Sequence, residues 1–226
     1  MSRREEAKTE RRRRIISAAR ELIRETGDTG LSMRAIASRA GVSLATPYNL
    51  FGSKRAIVLA ILEDVREFHE RFSRLSKRDA IERLFQAIAF STGYYAEDPD
   101  FYRPLWTAVL DTSGKELRTA ILNPQTHAFW AALLAEAQRD GAFAEGVDTA
   151  LLLRNLNFTF EAVMLSWVHG AVAAAELEPS VAYGYALALK GAAAPAFAER
   201  LGEEVRGAQA RLAEAMAARP PCPQDA

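Results

Sequence analysis

The stretch GVSLATPYNLFGSK, residues 41–54, decides how this chain folds and what its surface is for. It reads as one very short helix. Ser43 stands where a serine hydroxyl can cap free backbone N–H groups, and Gly52 follows the last apolar pair. On a wheel advancing about 100° per residue, Leu44, Ala45, Tyr48 and Asn49 share one side. Val42, Pro47, Leu50 and Phe51 are left to close a small core. A helix this short is not a core helix in its own right, and a structural corner would seldom leave Leu44 and Tyr48 together in water. That exposed side needs a partner.

Working outward from it, the flanking residues are also helical. Upstream, Ser32–Ala40 reads as a second short helix that opens on a serine and is separated from the first by Gly41. Its Ile36 and Ala37 face the same small core. Further upstream, Ile15, Ile16, Ala19, Leu22 and Ile23 form an apolar stripe at helical spacing, with charged residues opposite. Thr9 and Glu10 mark its expected start and Gly27 its stop. Downstream, a fourth helix opens near Ser53–Lys54 and runs through Ile57, Ile61, Leu62, Val65 and Phe68.

Helix, tight glycine turn, short helix is the helix-turn-helix layout, whose second helix lies in the major groove of duplex DNA. The residue types suit that placement. Leu44 and Ala45 can meet thymine methyl groups, and Tyr48 and Asn49 can reach phosphates or base edges. Ser32, Ser43, Thr46 and Lys54 stand at helix starts, where backbone N–H groups favour phosphate. Arg34 can reach a guanine edge or a phosphate. The competing reading is a helical corner with incidental polar groups, and the spacing alone leaves both open.

Residues 10–62 closely resemble the DNA-binding domain of the tetracycline-repressor family. The resemblance is carried by Ile15–Ala18, by Gly30-Leu31-Ser32-Met33-Arg34-Ala35-Ile36-Ala37, and by Gly41-Val42-Ser43, Thr46, Tyr48, Phe51 and Ser53-Lys54. These last fill the fixed positions of a G-V-S-x-x-T-x-Y-x-x-F-x-S-K pattern. Pro47 and Leu50 depart from it, standing where the family usually has an aliphatic and an aromatic residue. As fourth residue of a helix capped by Ser43, Pro47 would cost one early hydrogen bond. The resemblance implies a homodimeric transcription regulator, usually a repressor, released from a near-palindromic double-stranded operator when a small-molecule effector enters the C-terminal domain. It also implies that Arg3, Arg4 and Arg11–Arg14 add phosphate contacts or a minor-groove arm; a solvated helix start is the other reading.

Beyond residue 76 the pattern predicts longer helices over 77–96, 99–111, 115–139, 148–174 and 180–217, the last broken around Gly191–Pro195. Asp98-Pro99-Asp100 reads as a helix cap. The expected fold is all-α, with a three-helix helix-turn-helix domain and a larger helical ligand-binding and dimerisation domain. The expected division is residues 1–55, 56–218 and a short disordered tail at 219–226. Aromatics spread over the later helices are mostly core, and some can line an effector site; Tyr94, Trp106, His127, Trp130, Asn157, Glu161 and Met164 are the candidates. Asn157 and Glu161 fit a subunit boundary or a hydrogen-bonded core equally well. Dimerisation is expected through the last two long helices. There Gly184, Ala186, Ala188, Gly191 and Ala192 permit close approach, and Leu187, Leu189, Phe197 and Leu201 supply an apolar seam.

The whole-chain charge of zero hides an asymmetry. Residues 1–55 hold thirteen Lys/Arg and six Asp/Glu, net +7, while the remaining residues hold 16 and 23, net −7. A basic end on an acidic body points to a polyanion partner. A single cysteine, Cys222, excludes a disulfide framework or a cysteine-built zinc site. There is no secretory pattern and no apolar run of the ~20 residues that a spanning helix needs, so a cytoplasmic protein with no membrane partner is expected. Gly41-Val42-Ser43-Leu44-Ala45 misses the nucleophile-elbow pattern at Ala45. His69, His127 and His169 are far apart. No catalytic residue, metal site or cofactor is expected. Two alternatives stand beside the effector-released regulator: a dimeric DNA-binding protein without an effector, and a helical small-molecule enzyme or carrier with an incidental basic end.

Overall fold

A computed structural model describes residues 3–61, 79–110, 119 and 124–219. In chain order the helices are α1 (Arg3–Thr26), α2 (Met33–Arg39), α3 (Ala45–Phe51), α4 (described over 54–61), α5 (Ala80–Glu97), α6 (Pro99–Leu110), α7 (Pro124–Arg139), α8 (Thr149–Val168), α9 (Ala174–Gly191) and α10 (Ala198–Ala217), with a 3-10 turn at Pro195–Phe197. Among the described residues the only β feature is one isolated antiparallel bridge, Phe143 to Ala193. Leu62, Val65, Phe68, His69, the first residues of the helices expected at 77–96 and 115–139, and 220–226 with Cys222 lie outside the described residues.

The chain divides into two units, one spanning Met1–Ser73 and Asp98–Asn123, the other Arg74–Glu97 and Pro124–Ala226. This differs from a simple cut at residue 55, because the apolar side of α6 packs on α1. In the first unit, Ile15, Ala18, Ala19 and Ile23 of α1 meet Leu31, Met33, Ile36 and Ala37 around α2, Pro47 of α3, and Ile57, Val58 and Ile61 of α4, all buried. Val42, Leu50 and Phe51 are half-buried at its edge. A fully buried Ile or Leu contributes roughly 1.5–3 kcal/mol, so this small core is held by few residues.

Three local expectations need correction. The first helix begins at Arg3, not at Thr9; Glu5 and Glu6 occupy its first turn, where carboxylates complement the helix dipole. The basic N-terminal run is therefore helical, not an extended arm. Neither Ser32 nor Ser43 caps through its side chain. The Ser43 hydroxyl instead bonds Thr46 Oγ1 at 2.9 Å, and α3 starts only at Ala45. Pro47 is thus the third residue of α3, and its missing N–H is one of the helix-start donors that has no intrahelical acceptor anyway.

In the second unit α9 packs against α5, α8 and α10, and α7 packs against α5 and α8. Ile81, Leu84 and Ile88 of α5, Leu133 and Leu134 of α7, Leu153, Leu156, Met164 and Trp167 of α8, and Leu177, Val181, Tyr185 and Leu189 of α9 fill the interior. Helices α8 and α9 touch where Gly184 meets Thr159: a Cβ on Gly184 would lie 2.5 Å from Thr159 Cγ2. The helix expected over 148–174 ends at Val168, where the Gly170 and Ala171 amides turn back to Trp167 and Ser166. The next begins at Ala174 rather than 180 and carries Pro179 inside it. Arg219 is not part of a loose tail; its guanidinium donates to the Gly170 and Ala171 carbonyls at 2.9 and 3.0 Å.

Candidate nucleic-acid interface

The turn between α2 and α3 is built by backbone hydrogen bonds. Gly41 N–H donates to Ser38 O at 3.1 Å and Val42 N–H to Ala37 O at 3.0 Å. This paired closure of a helix end needs a left-handed residue, and Gly41 has φ +62°. The turn sends α3 away from α2 with Pro47 inward. Its other side is open: Leu44 is 45% and Tyr48 50% exposed, and Ala45 and Asn49 are exposed as well. Ser32, Arg34, Ser43 and Lys54 are exposed around them, and Thr46 is half-buried through its bond to Ser43. All nine residues singled out from the sequence thus lie on or beside the same two-helix corner. Ser53 does act as a cap, accepting from the Ala56 amide at 3.1 Å, which leaves Lys54 in the first turn of α4.

Hydrogen bonds between α1 and the two short helices hold the corner. Arg39 of α2 forms a two-pronged pair with Glu25 at 2.8 and 2.6 Å and approaches Glu21 at 3.4 Å. The hydrogen bond from Arg39 holds the Glu25 carboxylate below its ordinary pKa, and Glu25 in turn raises that of Arg39. Arg14 donates through Nε to Ala40 O at 3.0 Å and through Nη2 to the carbonyls of Ala40 and Gly41. Arg12 donates to Leu50 O at 2.9 Å with its guanidinium 4.3 Å from the Phe51 ring centroid. Arg13 pairs with Glu10 at 2.9 Å. Of the arginines expected to add phosphate contacts, Arg12, Arg13 and Arg14 each have a partner within the chain, while Arg3, Arg4 and Arg11 stay exposed. Sequence reading missed the Arg12 and Arg14 bonds because their acceptors are backbone carbonyls distant in sequence.

A second feature not anticipated from sequence joins α1 to α6. Arg24 donates through Nε to both oxygens of Asp98 at 3.0 and 3.1 Å, and through Nη2 at 2.5 Å. Arg20 lies 3.8 Å from the same carboxylate, with its guanidinium 4.4 Å from the Phe101 ring centroid. Asp98 stands at the expected cap position of α6, accepting the Tyr102 amide with its backbone carbonyl at 3.0 Å, but its carboxylate faces α1.

The effector candidates do not form one cluster. Trp106 is fully buried in the first unit, whereas the other six belong to the second. Met164 is fully buried, Asn157, Glu161, Tyr94 and Trp130 are half-buried, and His127 is exposed. Trp130 meets Tyr185 edge-on at 6.3 Å and Tyr94 meets Phe90 edge-on at 5.2 Å. Burial pushes the Tyr185 hydroxyl well above its usual pKa. Of the expected dimer seam, Leu189 and Leu201 are fully buried within their own subunit and cannot supply it; Phe197 is half-buried, and Leu187 is 47% exposed. The large exposed apolar residues of α8 were not foreseen. Leu151, Phe158 and Leu165 recur every seven residues, 63%, 56% and 44% exposed.

The family model "Bacterial regulatory proteins, tetR family" matches residues 15–61, the span from α1 through α4 just described. Over these residues the chain matches the tetR family. It is similar to the HTH-type transcriptional repressor KstR of Rhodococcus jostii, 32% identical over 94 residues, 41% of this chain and 44% of that protein. It is also similar to the HTH-type transcriptional regulator UidR of Escherichia coli, 26% identical over 173 residues, 74% of this chain and 82% of that protein. The match to the first of these thus spans less than half of the relative's length. Among solved structures, SmeT, the repressor of the Stenotrophomonas maltophilia multidrug efflux pump SmeDEF, superposes with a TM-score of 0.68 at 22% identity, covering 81% of this chain and 91% of that one. That likeness concerns the fold. No helix among the described residues is long and apolar enough to cross a membrane.

Proposed function

We propose that this protein is a cytoplasmic transcription regulator, a repressor, that binds a near-palindromic DNA operator as a homodimer and is released by a small molecule taken up in its second unit. One observation carries the DNA reading: the two-turn helix α3 turns its proline into the core and leaves Leu44, Ala45, Tyr48 and Asn49 outside. A helix presented in this way fits the major groove, which is wide enough for one helix. Leu44 and Ala45 would meet base methyl groups, Tyr48 and Asn49 base edges or phosphates, and Arg34 a guanine edge or a phosphate. Ser32, Ser43, Thr46 and Lys54 would hold phosphates on either side. The exposed Arg3, Arg4 and Arg11 extend that surface along a rigid helix.

A second copy of the chain is the partner that the exposed stripe on α8 calls for. Leu151, Phe158 and Leu165 lie on one line of the helix and, with the exposed Leu187 of α9, are the apolar residues that a twofold mate would cover as a four-helix bundle. Two copies would place two α3 helices about one DNA turn apart, ~34–36 Å. The half-buried Asn157, Glu161, Tyr94 and Trp130 are the polar and aromatic groups proposed to meet the effector, with His127 at the margin; the fully buried Met164 would act only through packing. An effector that favours a dimer with the wrong α3 separation lowers operator affinity by its differential affinity for the two states.

The test is selection of duplexes from a randomised pool by the full-length protein. The proposal expects a near-palindrome with two half-sites about one turn apart. It also expects the log of its affinity to fall linearly with log salt, and Tyr48→Ala and Lys54→Ala each to weaken binding. Recovery of no consensus would overturn the reading.

A further inference from the structure

An arginine-rich helix start beside a DNA-reading corner invites the assumption that its cations all face phosphate. Two of them are engaged instead with the ends of the short helices. Arg12 closes the end of α3, bonding Leu50 O while its plane covers the Phe51 ring. Arg14 closes the end of α2, bonding the carbonyls of Ala40 and Gly41. The final carbonyls of a helix lack intrahelical partners and carry the negative end of its dipole, so a guanidinium there is favoured twice over. Both clamps come from one helix, just ahead of the fully buried Ile15. A Cβ on Gly41 would lie 3.0 Å from Arg14 Nη2, so that guanidinium sits tightly against the turn.

We propose, resting on the reading of α3 as the DNA-contacting helix, that Arg12 and Arg14 are positioning residues: they set the direction in which α3 is presented and do not bind phosphate. A seven-residue helix is too short to hold its own direction. Its start is fixed by the Gly41 turn and its end by Arg12. Over a length of ~10 Å a tilt of about 10° moves the far end by nearly 2 Å, enough to lose hydrogen bonds to base edges. Arginine suits the task because it can donate within its plane while stacking on a ring; an ammonium cannot do both.

The experiment compares Arg12→Gln, Arg12→Lys and Phe51→Leu with the unaltered full-length protein on two probes, the duplex it selects and a duplex of unrelated sequence. Positioning predicts at least a tenfold loss on the selected duplex for all three variants. On the unrelated duplex it predicts a change of less than twofold and an unaltered salt slope. A phosphate role predicts that Arg12→Lys and Phe51→Leu behave as the parent, and that Arg12→Gln loses about 0.9 of salt slope on both probes; that result overturns the proposal. Hydrogen exchange on the free protein gives a reading that needs no DNA. Arg12→Gln should speed exchange of the Gly52 amide, which bonds Tyr48 O, and leave that of Ile36, bonded to Ser32 O, unchanged. Arg14→Gln should do the same to the Val42 amide. Unchanged exchange at Gly52 and Val42 sinks the clamps even if no duplex is selected, and failed selection with faster exchange sinks only the DNA reading.

Discussion

Phe158→Asp is expected to split the proposed dimer while leaving the protomer folded. Phe158 is 56% exposed on α8, with Leu151 one heptad before it and Leu165 one heptad after. The Arg154 guanidinium lies 5.5 Å from its ring centroid. A phenylalanine side chain presents ~200 Å², so the exposed part is roughly 110 Å², and covering it contributes about 2.8 kcal/mol at ~25 cal/mol/Å². A twofold axis doubles that to about 5–6 kcal/mol per dimer, an upper bound because an interface is never wholly dry. Even a half of this corresponds to about a hundredfold in the dimer dissociation constant, and a buried carboxylate would add to it. Sedimentation equilibrium on parent and variant measures the shift, with thermal melting of the dissociated variant as the folding control. An unchanged dissociation constant would refute the assignment of this face to a twofold mate. A variant that loses its helical signal would show instead that Phe158 belongs to the protomer core.

Other consequences follow from single contacts. Gly41→Ala forces a left-handed backbone on a residue with a Cβ and crowds Arg14, and should cost about 1–2 kcal/mol in thermal or urea unfolding. Asp98→Ala removes the carboxylate held by Arg24 and approached by Arg20; since Arg24 is substantially exposed, the expected cost is about 1 kcal/mol or less, read from the urea midpoint. Burial tends to raise the Asp79 pKa, but the hydrogen bond from Arg200 and the Glu82 and Ile81 amides outweigh it, so the folded value lies below 3.8. Its contribution is therefore complete above the unfolded value and lost as pH falls through the folded one; urea midpoints between about pH 5 and 2 should fall less steeply in Asp79→Asn.

How much of this was legible from sequence depends on where each partner lies. The open side of α3 was readable because Leu44, Ala45, Tyr48 and Asn49 stand against Pro47 within one short helix, and both facts are local. Glycine stops at Gly27, Gly41 and Gly52 were readable for the same reason. The start of α1 was not, because Glu5 and Glu6 extend a helix whose apolar stripe begins only at Ile15. Serine caps were expected from residue type, yet the Ser43 hydroxyl found Thr46 instead. The partners of Arg12, Arg14 and Arg24 lie 38, 26 and 74 residues away, and two of the three bond backbone carbonyls, which leave no residue signature. On α8 and α9 apolar residues occur nearly all round. Periodicity therefore did not separate Leu189, which the protomer buries, from Leu187 and Phe158, which it leaves outside.

Methylation protection on the selected duplex tests the central claim most directly, since dimethyl sulphate reports guanine N7 in the major groove and adenine N3 in the minor groove separately. If α3 of each copy lies in the major groove, N7 atoms should be shielded in two patches on one face of the duplex, about one helical turn or ~34–36 Å apart. Both patches should vanish with Tyr48→Ala. A single patch, or shielding only of N3, would contradict the account.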